Sequence, residues 1–281
     1  MSRDKSSWGF RQGDEIALGR YALQLLGDGA TSEVYLAWDD RLFCLVVAKV
    51  VRPDLVGTSR GVRRLAREAE ALSRLSHPLI LRCFEAVLDG DRPHLVEEFV
   101  EGMPLWARVR RAGLELEQLL PLFLRLCSAL HYLEGERMVH LDVKPGNIIL
   151  GAQPRLIDFS LARTVTEAGT ISRRVGTDAY MAPETCDPPA LGPIGTPADV
   201  WGLGATMYHA VAGRVPFPRI KGFDEHDLPA RFPQLDRGPE PLPEGLPDPL
   251  APLIMRCLSK EPSDRPSASE VGLALERSVA G

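Results

Sequence analysis

Residues 140–147 read His140-Leu141-Asp142-Val143-Lys144-Pro145-Gly146-Asn147. A carboxylate, an ammonium and an amide fall within six residues, and Pro145-Gly146 bends the backbone that carries them. Read alone, the string either shapes a polar turn or gathers polar groups for chemistry on a ligand. Two further strings bear on the choice. Asp158-Phe159-Ser160 follows the apolar Leu156-Ile157, so its carboxylate is delivered from a strand end. Ala182-Pro183-Glu184 closes an irregular segment, 158–184, rich in Thr, Ser and Arg. Long structureless segments inside compact domains are usually functional.

The 281 residues admit one two-lobed unit or two ordinary domains, and the order of the motifs decides for one unit. Lys plus Arg total 33 against 38 for Asp plus Glu, a formal charge of −5, so nothing points to nucleic acid or another polyanion. Cys44, Cys83, Cys127, Cys186 and Cys257 are scattered with no C-x-x-C pair, which argues against a disulfide framework and a zinc site and fits a reducing cytoplasm. No stretch approaches the roughly 20 apolar residues that span a bilayer, and the N-terminus is not signal-like. The chain is expected to be soluble.

Working outward, residues 1–19 read as an extension or a short strand. Tyr21 to Val51 alternates apolar and polar residues around a glycine turn, which predicts three antiparallel strands. In 60–75, Val62, Leu65, Ala69, Leu72 and Leu75 recur at helical spacing, and His77-Pro78 ends the helix. Leu79 to Val87 and Pro93 to Val100 predict two further strands, completing five. Residues 115–134 predict an amphipathic helix, and 197–213 a helix apolar almost all round and therefore buried. The prolines of 214–250 forbid long helices there. No internal repeat is evident.

Leu26-Gly27-Asp28-Gly29-Ala30-Thr31-Ser32-Glu33-Val34 is either a simple β-turn or a loop whose glycines let backbone approach phosphates closely. Lys49 lies on a strand with apolar neighbours, so its ammonium needs an anion.

The whole set resembles the bacterial branch of the eukaryotic-like (Hanks-type) protein Ser/Thr kinases, over about residues 20–275. The resemblance implies an α+β, two-lobed fold: an antiparallel-sheet N-lobe with one main helix over 20–101, a mostly helical C-lobe over 102–281, and 1–19 as an extension. It implies ATP and Mg²⁺ as cofactors and transfer of the γ-phosphoryl group to Ser or Thr hydroxyls of proteins, the chain itself included. Asp142 would orient and deprotonate the hydroxyl, Lys144 steady the transferring phosphate, and Asn147 and Asp158 hold metal. Lys144 points to Ser/Thr rather than Tyr acceptors. Lys49 would hold phosphates with Glu68 as its partner and Glu70 as the fallback; on a helix the two project roughly 200° apart, so only one can face it. The nucleotide would lie in the interlobe cleft against Leu26, Gly27, Gly29 and Ser32, its adenine between Val34 and Ala48 above and Ile149 below, bonded to the backbone of Glu98 and Val100. Phe159 reads as packing, on His140 and Leu72. Thr177 is placed to bond Asp142 and Lys144, Asp199 to accept from the catalytic-loop backbone, and Glu184 to pair with Arg265.

The chain departs from the family at several positions. Ser32 and Ser160 replace glycines, the second with fewer inactive flips as the consequence. Leu141 stands where many members carry the arginine that binds a phosphorylated segment, so phosphorylation at Thr164, Thr166, Thr170 or Ser172 is not needed to order the site, unless Arg163, Arg173 and Arg174 supply a substitute clamp. Glu97 falls at the gatekeeper position, where a charge is unusual: it reaches a local cation, or the strand register is off by one. These departures keep open a pseudokinase scaffold. A small-molecule kinase of related fold would lack Lys144 and Ala182-Pro183-Glu184. The expected location is the cytoplasm, as a monomer or weak homodimer; many bacterial kinases of the type it resembles continue into a linker and a membrane helix, which leaves open that the chain is a fragment of a longer membrane-anchored kinase.

Overall fold

The computed structural model describes residues 6–219, 222 and 227–279. Two compact units divide the chain, Met1–Glu101 and Gly102–Gly281.

The first unit is a curled antiparallel sheet with one long helix. Its strands are β1 (Glu15–Ala17), β2 (Arg20–Asp28), β3 (Ser32–Asp39) and β4 (Cys44–Val51), then helix α1 (Ser59–Arg74), then β5 (Cys83–Val87) and β6 (His94–Glu98), in the spatial order β1-β2-β3-β4-β6-β5. Strict alternation builds it. Along β3, Glu33, Tyr35, Ala37 and Asp39 are buried while Ser32, Val34, Leu36 and Trp38 are partly open. Tyr35 and Ala37 pack with Ile16, Ala22, Val46, Ala48, Val50 and Val96 in one cluster. Helix α1 starts where the Thr58 hydroxyl accepts from the Gly61 N–H at 3.3 Å, satisfying one orphan donor. Its apolar stripe places Leu65 and Ala69 against Val51 and Leu95.

Two expectations need correction. The sheet has six strands rather than five, because Glu15–Ala17 joins its edge. Leu79–Leu81 is a buried turn and bridge rather than the start of a strand, the pairing beginning only at Cys83. The N-terminal extension is also tied down: Trp8 donates its indole N–H to the Val51 carbonyl at 2.8 Å, stacks on Phe10, and both rings lie under the Arg92 guanidinium.

The second unit is mostly helical. Strand β7 (Met103–Pro104) leads into α2 (Leu105–Ala112) and α3 (Leu116–Gly135); β8 (Met138–Val139), β9 (Ile148–Leu150), β10 (Arg155–Leu156) and β11 (Arg163–Thr164) follow. Then come α4 (Val165–Ala168), α5 (Pro183–Cys186), α6 (Pro188–Leu191), α7 (Pro197–Ala212), α8 (Leu228–Arg231), α9 (Leu250–Cys257) and α10 (Ala268–Val279). Two small antiparallel sheets, β10-β9-β7 and β11-β8, bracket the stretch 140–147. Helix α7 is buried along nearly its whole length, as its composition requires. Gly202 explains how closely it packs: a Cβ there would sit 2.9 Å from the Val143 carbonyl oxygen, so α7 presses directly on the loop that carries Asp142. The prolines of 214–250 leave short turns there among the described residues, the α-helical turn α8 and a 3₁₀ turn at Pro233–Leu235, and part of that region lies outside them. Among the described residues no helix is long and apolar enough to cross a membrane.

Candidate active site

In the first unit the site elements lie on one face of the sheet. Val34 on β3 is register partner of Lys49 on β4, and paired residues share a face. Lys49 Nζ donates to Glu68 Oε1 at 2.6 Å, and Glu68 is buried on the inner side of α1 while Glu70 is exposed. A second carboxylate, Glu97 Oε2, lies 3.2 Å from the same nitrogen. The local cation that Glu97 needs is therefore Lys49. The Cys83 thiol beside them is pushed up to about 11, by burial first and by the Glu97 charge second. Gly27 and Gly29 sit in the β2–β3 hairpin, with Leu26 exposed at its edge, and the turn is closed by the Gly29 N–H on the Ser32 carbonyl at 3.0 Å. The Glu98 N–H is committed to the Arg82 carbonyl at 2.8 Å, so only the Glu98 carbonyl can serve a nucleotide.

Ala48 does not belong to that face. Successive strand residues point to opposite sides. Ala48 is fully buried in the cluster with Tyr35 and Ala37, and Val47 shares the side of Lys49 and Val34. Ala48, expected against the adenine, is therefore turned away from the side that Lys49 and Val34 share, and Val47 faces that side instead.

In the second unit the polar side chains of 140–147 converge. Lys144 Nζ donates to Asp142 Oδ2 and to the Thr177 hydroxyl, both at 2.6 Å, and that hydroxyl donates on to Asp142 Oδ1 at 2.7 Å. Asn147 Nδ2 donates to the Asp142 carbonyl at 2.9 Å and to Oδ2 at 3.1 Å, which fixes its amide with Oδ1 as the oxygen left to face a cation. Gly176 makes the Thr177 approach possible. Its φ is +121°, and a Cβ there would meet Met181 Cγ at 2.8 Å and the Leu141 carbonyl at 3.1 Å.

The loop is held from beneath. Asp199 accepts the His140 N–H at 2.6 Å and the Leu141 N–H at 2.8 Å. Its complete burial pushes the carboxyl up, against the pull of the neighbouring His140 imidazole and of these two donors. Leu141 is buried with φ +65°, a conformation a leucine holds only when its surroundings enforce it. His140 Nδ1 accepts from the Asp142 N–H at 3.2 Å, so Nε2 carries the proton and donates to the Ile157 carbonyl at 3.2 Å. Phe159 packs edge-on against His140 with ring centroids 4.6 Å apart. The left-handed backbone in Asp158-Phe159-Ser160 falls on Asp158, φ +64°, rather than on Ser160, so Ser160 needs no glycine-like freedom. Ile149 is half-buried on β9.

Asn147 Oδ1 and the Asp158 carboxylate are hard oxygen donors of the kind magnesium takes. Among the described residues no group of three or more His, Cys, Asp or Glu is assembled for a metal, so the donor set fits a cation that draws its other ligands from phosphate and water.

The model of the protein kinase domain matches residues 21–273. The chain is 34% identical over 279 residues to the serine/threonine-protein kinase pkn2 of Myxococcus xanthus, covering 93% of this chain and 33% of that protein. It is 34% identical over 241 residues to the serine/threonine-protein kinase PkaA of Streptomyces coelicolor, covering 82% and 42%, and 34% identical over 262 residues to the serine/threonine-protein kinase PknA of Mycobacterium tuberculosis, covering 88% and 58%. The chain therefore spans between a third and three fifths of the length of these relatives. It belongs to the protein kinase family, and the relatives named are bacterial.

Proposed function

We propose that this member of the protein kinase family is the catalytic domain of a protein Ser/Thr kinase, transferring the γ-phosphoryl group of ATP to Ser or Thr hydroxyls of proteins, itself included. The observation that carries the reading is the Asp142 carboxylate held by Lys144, Thr177 and Asn147. A carboxylate so fixed can accept the proton of an incoming hydroxyl as its oxygen bonds to the γ-phosphorus and the bond to the ADP oxygen breaks. Lys144, bonded to Oδ2, is placed to neutralise charge on the transferring group. Asn147 and Asp158 would hold Mg²⁺, whose chemistry is to neutralise the phosphate oxygens. Lys49, Gly27, Gly29, Val34, Val47 and the backbone of Glu98 and Val100 would hold the nucleotide.

Lysine rather than arginine at 144 supports Ser/Thr acceptors. A cytoplasmic location is supported by the five free cysteines, three of them buried. The test is phosphosite mapping by mass spectrometry after incubation with Mg-ATP and a peptide library, wild type against Asp142→Asn. Transfer to Ser or Thr by the wild type alone is expected. Equal incorporation by both proteins, or transfer to Tyr, overturns the reading.

A further inference from the structure

Lys49 has two buried carboxylate partners that come from different kinds of element. Glu68 lies on α1, which meets the sheet only through a stripe of side chains. Glu97 lies on β6, hydrogen-bonded directly to β4 in a register that pairs Lys49 with Leu95 and Val47 with Glu97. In an antiparallel pair that register makes Glu97 the diagonal neighbour of Lys49 on one face, within reach of two long side chains. The side chains of Glu68 and Glu97 are 3% and 2% exposed, so neither is a solvated surface charge. The Cys83 thiol, on β5, lies in the field of all three charges.

We propose that Glu97 is a positioning residue that anchors Lys49 from within the sheet, so that the lysine keeps its place independently of α1. An ammonium has three donors and can serve two carboxylates and a phosphate oxygen together. With a single partner on a packed helix, any displacement of that helix releases the lysine. A partner on the neighbouring strand cannot leave without breaking the sheet. The consequence is redundancy between Glu68 and Glu97, and its catalytic part rests on the kinase reading above.

The chain has five lysines, so an ¹⁵N-lysine-labelled sample gives a tractable ammonium spectrum, with Lys49 assigned through Lys49→Arg. The hydrogen-bonded Lys49 ammonium signal should persist in Glu68→Gln and in Glu97→Gln and weaken in the double variant beyond the sum of the two single changes. In the kinase assay, each single variant should lower kcat/KM for ATP by less than about tenfold and the double should lose as much as Lys49→Met, well beyond the product of the singles. A loss above tenfold in Glu68→Gln with Glu97 intact, disappearance of the ammonium signal in that variant, or a double no worse than the product overturns the proposal. Should the double not fold, Glu68→Gln alone decides. If the wild type transfers no phosphate, the kinase reading fails while the ammonium spectrum still decides the anchor.

Discussion

Arg265→Ala is the sharpest structural test the second unit offers. The guanidinium has five N–H donors and all are used: two bond the Glu184 carboxylate side by side at 2.6 and 2.8 Å, and the others reach the carbonyls of Ser259, Pro197 and Lys260 at 2.9 to 3.0 Å. Its side chain is 0% exposed, that of Glu184 is 2% exposed, and the guanidinium lies 5.0 Å from the centre of the Trp201 ring on α7. Truncation strands a buried carboxylate and three carbonyls. Removing one partner of such a pair costs about 3–5 kcal/mol. A unit of this size loses about 2–4 °C per kcal/mol, so the melting temperature should fall by about 6–20 °C. Arg265→Lys should recover little of it, since an ammonium cannot reproduce the planar fork. Replacing both partners, Glu184→Leu with Arg265→Met, should recover a large part, because no charge is then left buried and alone. Differential scanning calorimetry at neutral pH is the assay. A melt for Arg265→Ala within about 2 °C of wild type, or a double variant no more stable than the single, would refute the reasoning.

Lys49→Met and Asp158→Ala should each reduce phosphoryl transfer by about a thousandfold or more, since both act on charge in the transition state; Asp158→Ala should leave the melt nearly unchanged, and a matched loss of stability there would mean it is structural, whereas Lys49→Met should also lower the melt because it strands the buried Glu68 and Glu97 carboxylates. Replacing Thr164, Thr166, Thr170 and Ser172 together with alanine should leave the rate within about fivefold, and the removed Thr164 hydroxyl, which caps α4 by accepting the Glu167 N–H at 3.2 Å, should cost about 1 kcal/mol of stability; a collapse of activity would show that a clamp exists despite Leu141. Acid should weaken the first unit through His94. Its Nδ1 donates to the Arg92 carbonyl at 2.7 Å and Nε2 faces the Arg20 guanidinium at 3.4 Å, so burial first, and the Arg20 charge with it, hold its pKa below the ordinary value. The unfolded chain then takes the proton first, and the stability present above about pH 6.5 is lost as pH falls through the folded-state value. His94→Gln should flatten that part of the pH–stability curve, and an unchanged slope would count against the assignment.

How much was legible follows from where each partner lies. Asp142, Lys144 and Asn147 were readable because the residues of the loop lie within one short window. Glu184 with Arg265, 81 residues apart, and Asp199 with the loop backbone were readable only through the family resemblance. The misplacement of Ala48 has its cause in β4. Its run Leu45-Val46-Val47-Ala48-Lys49-Val50-Val51 is apolar on both sides, which erases the period-two signal that would have separated Ala48 from Val47. Glu97 stayed unexplained because its partner lies on a neighbouring strand, and register between strands 48 residues apart is not written in either one. Trp8 and Phe10 were two aromatics in a polar stretch with no periodicity to place them.

The Lys49–Glu97 contact consequently carries more information than its length suggests. Slipping β6 by one residue against β4 would turn Glu97 to the side occupied by Tyr35 and Ala48 and leave a carboxylate among apolar groups, at a cost of several kcal/mol. Ion pairing and strand pairing thus enforce each other: Glu97 is tolerated at a buried position because the register delivers it to Lys49, and the register is favoured because every alternative strands that charge. The same reasoning explains why Arg20, buried at the head of β2, is met by Asp39 across the hairpin and Glu85 on β5. In this sheet the buried charges do not merely survive the fold; they select which strand residues stand opposite one another.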